Sequence, residues 1–420
     1  MDKIIYTLIM IPYLLCCMDG KKTAKREALE EKENSRIIDF NDAFRDIREI
    51  RLTDIADSVS FLPLETKQNG FVSNINMFEF IPSCIVYYQG IFDWTGKFKG
   101  NIVKRGQGRY EEPGIRNLLF HDNHYYSQGT KFIEYDNTGS PTGKIGSLLE
   151  EDKNALRAGV AFFNAGNNLA VYSYPNRIYF LNTDFEIICS RLVAGTDTMK
   201  PNGDDIGKNF ITYYKDKTLF YNFMNDTIFY VTETGLEPQW IVSFTGDQRL
   251  STDALLMNFN IFRDEEIKML NSGMNNFENT KRVLLFDNKH IALGVFETKN
   301  YILFPMQILT PLHAARRKEV KAPYVILFDK STHQTFRVKG DGFVDDLTGL
   351  AGMTDKNYFF PSKGIIDEKM IHVVWPFEIL DFIKECQESG HEVDPRLLEF
   401  SKTLDPEDNP VLILVHLKRK

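Results

Sequence analysis

A strand–turn–strand unit that recurs along the chain restricts its fold more than any other feature. Past residue 58, a β-branched or aromatic run ends in a turn containing Asp, Asn or Gly, and a second run follows. Clear examples are IFDWTGKFKGNIV (91–103), FIEYDNTGSPTGKIG (132–146), IYFLNTDFEIICSRLV (178–193), TIFYVTETGLEPQWIVSF (227–244) and VILFDKSTHQTFRVKG (325–340). Alternating apolar positions suit strands, and the Thr-Gly, Asn-Thr-Gly and Lys-Ser-Thr stretches suit hairpins. With Phe92, Tyr135, Phe180, Phe229 and Phe328 taken as equivalent, the spacings are 43, 45, 49 and 99. A period in the forties with four strands per unit is the signature of a β-propeller.

The last spacing is about two periods, and we read it as one blade with an insertion. Residues 247–282 suit two short helices, with Ser251 as N-cap and Gly273 as stop. Blades are drafted at 70–104, 114–147, 158–195 and 205–245. A fifth is built from runs between 291 and 340 that enclose the charged loop 308–323, and a sixth begins near Leu347. A helical excursion covers 377–404. The run SVSFLPLET (58–66) has no hairpin partner of its own, while NPVLILVHLK (409–418) supplies a late strand. A propeller must close, so Val59 to Leu64 is predicted to form the outer strand beside Val411 to Leu417. The expectation is an all-β, six-bladed propeller of four-stranded blades, closed by its two terminal strands and carrying small helical insertions.

The beginning of the chain suggests an address. Lys3 precedes an apolar run from Ile4 to Leu15 that is too short to span a bilayer and suits a secretory signal. Leu14-Leu15-Cys16-Cys17 resembles a bacterial lipoprotein signal. With Cys17 as the lipidated residue, a small side chain sits at −1 and Leu at −3. The expected division is a signal peptide at 1–16, a charged tether at 17–49 and the propeller at 50–420. Between 21 and 36, six basic and four acidic side chains and no aromatic leave little to bury. Cys84, Cys189 and Cys386 remain in the body, where the first two fall in strand-like runs and suit a small apolar role.

Three motifs in order resemble a known family: SVSFLPLET, then FDWTGKF with VKRGQGRYEEPG, then EDNPVLILVHLK. They are similar to the six-bladed, NHL-like β-propeller lipoproteins of gut and oral anaerobic bacteria, and the likeness covers about 50–420. The chain departs from that pattern at Gly108-Arg109-Tyr110-Glu111-Glu112-Pro113, where Arg109 stands in place of Pro. The resemblance implies an envelope lipoprotein, accessory to nutrient uptake, and brings no catalytic residues with it.

For chemistry, Lys104-Arg105-Gly106-Gln107-Gly108-Arg109-Tyr110 is the densest polar motif. Its glycines could present N–H groups while Arg105, Gln107, Arg109 and Tyr110 hold an anion or a sugar. The alternative is an inter-blade connection in which glycine serves the backbone. His121-Asp122-Asn123-His124 reads as a hairpin turn before it reads as a metal site. Asp345-Asp346 are adjacent, so they point apart on a strand and suit acid–base work poorly. No metal or cofactor is expected. The net charge of −8, with no basic tract in the body, argues against nucleic acid. The expected role is non-catalytic binding of a protein of an uptake assembly, a glycan or another small molecule. The protein would be exported and held at the envelope, in the outer membrane, by lipid alone, with the periplasmic or surface side open. The alternative is a carbohydrate-active hydrolase or lyase with its site on the propeller axis.

Overall fold

A computed structural model describes residues 36–112, 117–146, 159–173, 177–193, 211–221, 226–245, 290–308, 323–350, 358–361 and 363–419. The fold is an all-β, six-bladed propeller. Blade 1 comprises Phe78–Ile81, Cys84–Tyr87, Gly90–Phe92 and Phe98–Asn101, blade 2 Asn117–His121, His124–Gln128, Phe132–Tyr135 and Pro141–Gly146, and blade 3 Gly159–Ala165, Asn168–Ser173, Arg177–Leu181 and Ile187–Leu192. Blade 4 comprises Ile211–Tyr214, Lys217–Tyr221, Thr227–Val231 and Leu236–Ser243. Blade 5 has an inner edge broken into His290–Ala292 and Phe296–Glu297, followed by Tyr301–Ile308, Tyr324–Asp329 and Gln334–Val338. In blade 6, Ile365–Ile366 and Lys369–Val374 are followed by Val411–Leu417, and Ala56–Pro63 is the outermost strand.

The five aromatic positions that set the period all fall in third strands. Each blade from 1 to 3, and blade 5, then turns on one side chain. Asp93 Oδ1 accepts from the backbone N–H groups of Thr95 and Lys97 at 2.9 and 3.1 Å. Asp136 Oδ1 accepts from Thr138 and Ser140, both at 2.9 Å. Asn182 Oδ1 takes Asp184 and Glu186, and Asp329 Oδ1 takes Ser331 and Thr332. A short acceptor that captures N–H groups ahead of it is what makes an Asx turn cheap.

Burial follows a period of two, but with both faces covered. In blade 5, Tyr324, Ile326 and Phe328 pack into the seam with blade 4, whereas Val325 and Leu327 pack into the seam with blade 6. In blade 6, Leu412 and Leu414 face blade 1 while Val411, Ile413 and Val415 face blade 5. Among the described residues the apolar core therefore consists of six radial seams, one between each pair of neighbouring blades. This explains why strands such as YVILFD read as continuous apolar runs.

The predicted closure is present. Ala56–Pro63 runs antiparallel to Val411–Leu417, with Val59 opposite Val415 and Pro63 opposite Val411. Asn409 secures the junction: its side-chain oxygen accepts from Val72 N at 2.8 Å, and its amide donates to the carbonyls of Glu65 and Gly70. The helical excursion is also present, as Pro376–Ser389 and Pro395–Ser401. Tyr358–Phe359, expected in blade 6, instead pairs with Phe343–Val344 in a separate small ladder. The insertion 247–282, the loop at 309–322, the leader and the tether to residue 35 lie outside the described residues.

The tether boundary at 49 is corrected by the fold. Ile37–Asp39 adds in parallel to the outer strand of blade 4, and Ile47–Arg48 adds in parallel to the outer strand of blade 5. Between them, Asp39 caps the helix Phe40–Ala43 by accepting from Asn41 N at 2.8 Å. Phe40 is buried there, with its ring edge-on to Phe304 at 4.8 Å. The charged residues of this segment face solvent while Ile38, Phe40 and Ala43 enter the blade 4–5 seam, so a charge count alone conceals a docking segment. Phe40→Ala should lower the unfolding free energy by about 3 kcal/mol in urea denaturation, as for other buried phenylalanines. A loss under about 0.5 kcal/mol, the size expected of a surface change, would return this segment to the tether.

Candidate functional site

The densest polar motif folds back on itself. Lys104–Arg105 and Glu111–Glu112 form a two-residue parallel ladder, and the loop between them is filled by Glu111. Its carboxylate accepts from Gly108 N at 3.0 Å and lies so close to Gly106 that a Cβ there would displace it. Of the two glycine N–H groups considered for an external anion, that of Gly108 thus holds a carboxylate of the chain itself and that of Gly106 donates to the Glu112 carbonyl at 3.1 Å. Lys131 Nζ donates to the carbonyls of Gly108 and Arg109 at 2.9 and 2.6 Å. Glu112 is fully buried and accepts from Thr130 N and Oγ1, both at 2.9 Å, and from Lys131 N at 3.2 Å. Arg105, Gln107 and Arg109 are exposed. Arg109 lies over the ring of Tyr110 at 5.3 Å, and Tyr110 packs against the blade 1–2 seam. The loop therefore pins blade 1 to the second hairpin of blade 2.

The other sequence candidates are turns and caps. Asp122 and Asn123 have φ of 43° and 62° in the first hairpin of blade 2, the conformation of a tight two-residue turn. Flanking them, His124 Nδ1 contacts the Asp122 carbonyl at 2.8 Å and His121 Nε2 the Asn167 carbonyl at 3.3 Å. Among the described residues, no group of three His, Cys, Asp or Glu side chains is arranged to hold a metal ion. Asp345 accepts from Leu347 N and Thr348 N, and Asp346 from the Thr53 N–H and hydroxyl. Cys84 is buried, Cys189 and Cys386 are half-buried, and all three are free thiols. Burial pushes the Cys84 thiol up to about 12, which keeps it protonated and inert.

All six blades meet at a cavity of about 360 Å³ on the axis. Blade 1 contributes Met77 to Ile81, and blades 2, 3 and 4 contribute Asn117–Leu118, Ala161–Phe162 and Ile211–Tyr213. Blade 5 supplies Leu293, Phe296 and Pro305, and the approach to blade 6 supplies Phe360, Pro361, Lys363, Ile365 and Ile366. Asn117 and Ile211 open their strands, so the cavity lies at the end of the propeller where connections arrive from the preceding blades. Its shape is held by neutral polar bonds: Thr212 Oγ1 donates to Val295 O at 2.7 Å, and the Asn117 amide donates to Gln128 Oε1 at 2.8 Å. Gly364, at φ +102°, admits the Phe296 ring where a Cβ would come within 2.7 Å of it.

Exposed apolar side chains sit at the same end, on the blade 1 and blade 6 side. Met77 and Phe71 lie on the connection into blade 1, and Tyr88, 52% exposed, on its second hairpin. Phe377 begins the blade 6 excursion and stacks on Trp375 at 6.3 Å. Nothing in a strand pattern separates a rim aromatic such as Trp375 from one in a seam. Phe71 and Met77 carried no sequence signal, because the connection into blade 1 has no periodicity.

The cavity holds charge of both signs, Glu79 and Lys363. Burial lowers the Lys363 ammonium from its ordinary value and, with the nearby Glu79 carboxylate, raises the Tyr213 hydroxyl. His372, behind Lys363, is pushed down to about 4, first by burial and then by the Lys363 charge. It is therefore a neutral imidazole at pH 7.

Residues 35–416 match the family described as "Domain of unknown function (DUF4934)", and the chain belongs to that family. Among solved structures, a "Putative exported protein" from Bacteroides fragilis is similar at 18% identity, with a TM-score of 0.59 and coverage of 91% of this chain and 100% of that one. BamB from Moraxella catarrhalis is matched at 10% identity and a TM-score of 0.34, over 75% of this chain and 72% of its own. No curated protein matches the sequence.

Two outcomes follow from these placements. Glu112→Ala strands three donors in a buried site and should cost about 2–4 kcal/mol in chemical denaturation, whereas Arg105→Ala and Arg109→Ala should stay within about 0.5 kcal/mol. Equal losses in all three would mean that the exposed arginines help to hold the loop. As pH falls from about 6.5 towards 4, the unfolded state takes up a proton that folded His372 resists, so stability is lost across that window. His372→Gln should flatten the fall in Tm measured by calorimetry; His416, also lowered by burial, keeps part of the slope. An unchanged slope would place the acid sensitivity elsewhere.

Proposed function

We propose that this member of the DUF4934 family is an exported, lipid-anchored propeller that binds rather than catalyses, at the cell envelope and in the service of nutrient uptake. The observation that carries this reading is the axial cavity, to which every blade contributes and which has exposed apolar side chains at its connection end. Rigid blades hold such a mouth at little entropic cost, as binding scaffolds require. Among the described residues, the cavity wall carries the Glu79 carboxylate and the Lys363 ammonium in a lining of mixed polar and apolar surface, a composition suited to recognition; acid–base cleavage of a glycosidic bond works with a pair of carboxylates. The lipoprotein-like Leu14-Leu15-Cys16-Cys17 stretch supports lipid on Cys17. The exported description of the Bacteroides fragilis relative is in keeping with that address. None of the helices among the described residues is long and apolar enough to cross a membrane.

Two measurements test this. Wild-type protein should sediment with membranes and incorporate labelled palmitate, while Cys17→Ser should do neither and remain folded; membrane retention of the variant would refute the lipid anchor. Affinity capture of the anchored protein from its native envelope should recover a defined partner that Phe71→Asp, on the exposed rim, releases. Cleavage of any member of a glycan panel by the purified protein would overturn the binding role.

A further inference from the structure

One face of blade 1 is nearly without charge. Asp, Glu, Lys and Arg make up 26% of the chain, yet from Gln68 to Phe92 only Glu79 belongs to that set. Glu79 lines the axial cavity, and Lys67, at the edge of the segment, is paired with Glu65 at 3.0 Å. What the segment exposes includes the amides Gln68 and Asn69 and two bare rings, Phe71 at 54% and Tyr88 at 52%.

Two glycines bring those rings together. Gly70 and Gly90 both close on the Phe98 ring, where a Cβ on either would come within 2.8 Å of it. Asn101, opposite Gly90 in the ladder, donates from Nδ2 to the Asn69 carbonyl at 3.4 Å and ties the same two loops. The Tyr88 ring stands edge-on to Tyr87 at 4.9 Å, and the Tyr87 hydroxyl accepts from Ser73 N at 2.8 Å. Among the described residues, Tyr88 is the one exposed Phe, Tyr or Trp at positive φ, 51°. A bulky side chain is strained there, and Asn or Gly would turn at lower cost. The turn does not account for the ring.

We propose that this connection-end face of blade 1 binds a neutral oligosaccharide. Phe71 and Tyr88 pack against the apolar C–H faces of its rings, and Asn69, Gln89 and Asn101 meet its hydroxyls. An amide offers both donors and an acceptor, as a hydroxyl requires, and carries no charge to desolvate. A protein-binding surface commonly sets arginine among its aromatic anchors; this one sets Asn and Gln. The inference rests on the binding role proposed above and gives its ligand a class, held on the rim beside the cavity mouth.

The test is titration calorimetry on the full-length protein in detergent. The neutral probes are maltohexaose, cellohexaose and mannohexaose, and the anionic one is hexagalacturonate, which the nearby Lys104 and Arg105 would favour. Saturable binding of at least one neutral probe is expected, unchanged up to about 0.5 M NaCl because no charge is engaged. Phe71→Ala and Tyr88→Asn should each weaken it by about tenfold, while Tyr88→Asn holds or raises Tm and Arg105→Ala changes nothing. Should a variant fail to fold, the probe series and its salt dependence on the wild-type protein still decide. No neutral binding by folded protein, tighter binding of hexagalacturonate, or full affinity in Tyr88→Asn would overturn the proposal. If these arms fail while envelope capture recovers a protein released by Phe71→Asp, only the ligand class falls. If both fail, the binding role falls with it.

Discussion

Everything in this molecule depends on the fact that each blade is apolar on both faces. A sheet with alternate residues committed to two different seams cannot stop at an edge blade, because the last face would remain wet. The only arrangement that dries all of them is a ring, and the ring needs one blade made from both ends of the chain. The ladder between Ala56–Pro63 and Val411–Leu417 is that joint. Asn409, buried and bonded to three backbone groups of the blade 1 approach, fastens it from the side. Helix Pro376–Ser389 adds Ile379, Phe382 and Ile383 to the blade 5–6 seam, which thickens the wall where the joint lies.

Closure also creates the site. Six inner strands meeting end-on leave a hollow whose lining is the sum of positions far apart in sequence, Met77 at one extreme and Ile366 at the other. No local motif could announce it. Several acids that stand out in the sequence serve construction: Glu111 and Glu112 hold the blade 1–2 connection, and Asp345 and Asp346 hold the approach to blade 6 and the Thr53 turn. A buried pair, Lys330 with Glu297 at 2.5 Å, receives the Tyr230 hydroxyl and links blades 4 and 5.

The ring was legible in the sequence because its signal is repetitive. An aromatic residue in the third strand, with Asp or Asn one or two positions on and Thr or Ser within two residues of that, marks blades 1, 2, 3 and 5, and these positions help to set the period. The closing strand was legible by elimination, since SVSFLPLET had nowhere else to pair. Three things were not. Residues 37–48 join the sheet in pieces of three and two, too short to show a period, and their charges face outward. Tyr358–Phe359 has the composition of a blade strand, yet pairs with Phe343–Val344 outside the blade. The Gly106 and Gly108 N–H groups were readable as an anion cradle, and only the fold shows that the first donates to the Glu112 carbonyl and the second to the Glu111 carboxylate.

The N-terminal segment touches the outer edges of blades 4 and 5 before entering blade 6. These three blades are the last to be synthesised, so the first part of the folded domain to leave a ribosome must wait for the last parts to find its place. Until residue 417 has been delivered, blade 6 lacks its third strand and Ala56–Pro63 has no strand to pair with. Assembly then depends on contacts of very high sequence separation, which form slowly. A nascent chain would carry open apolar seams at both ends for as long as the final strand is missing.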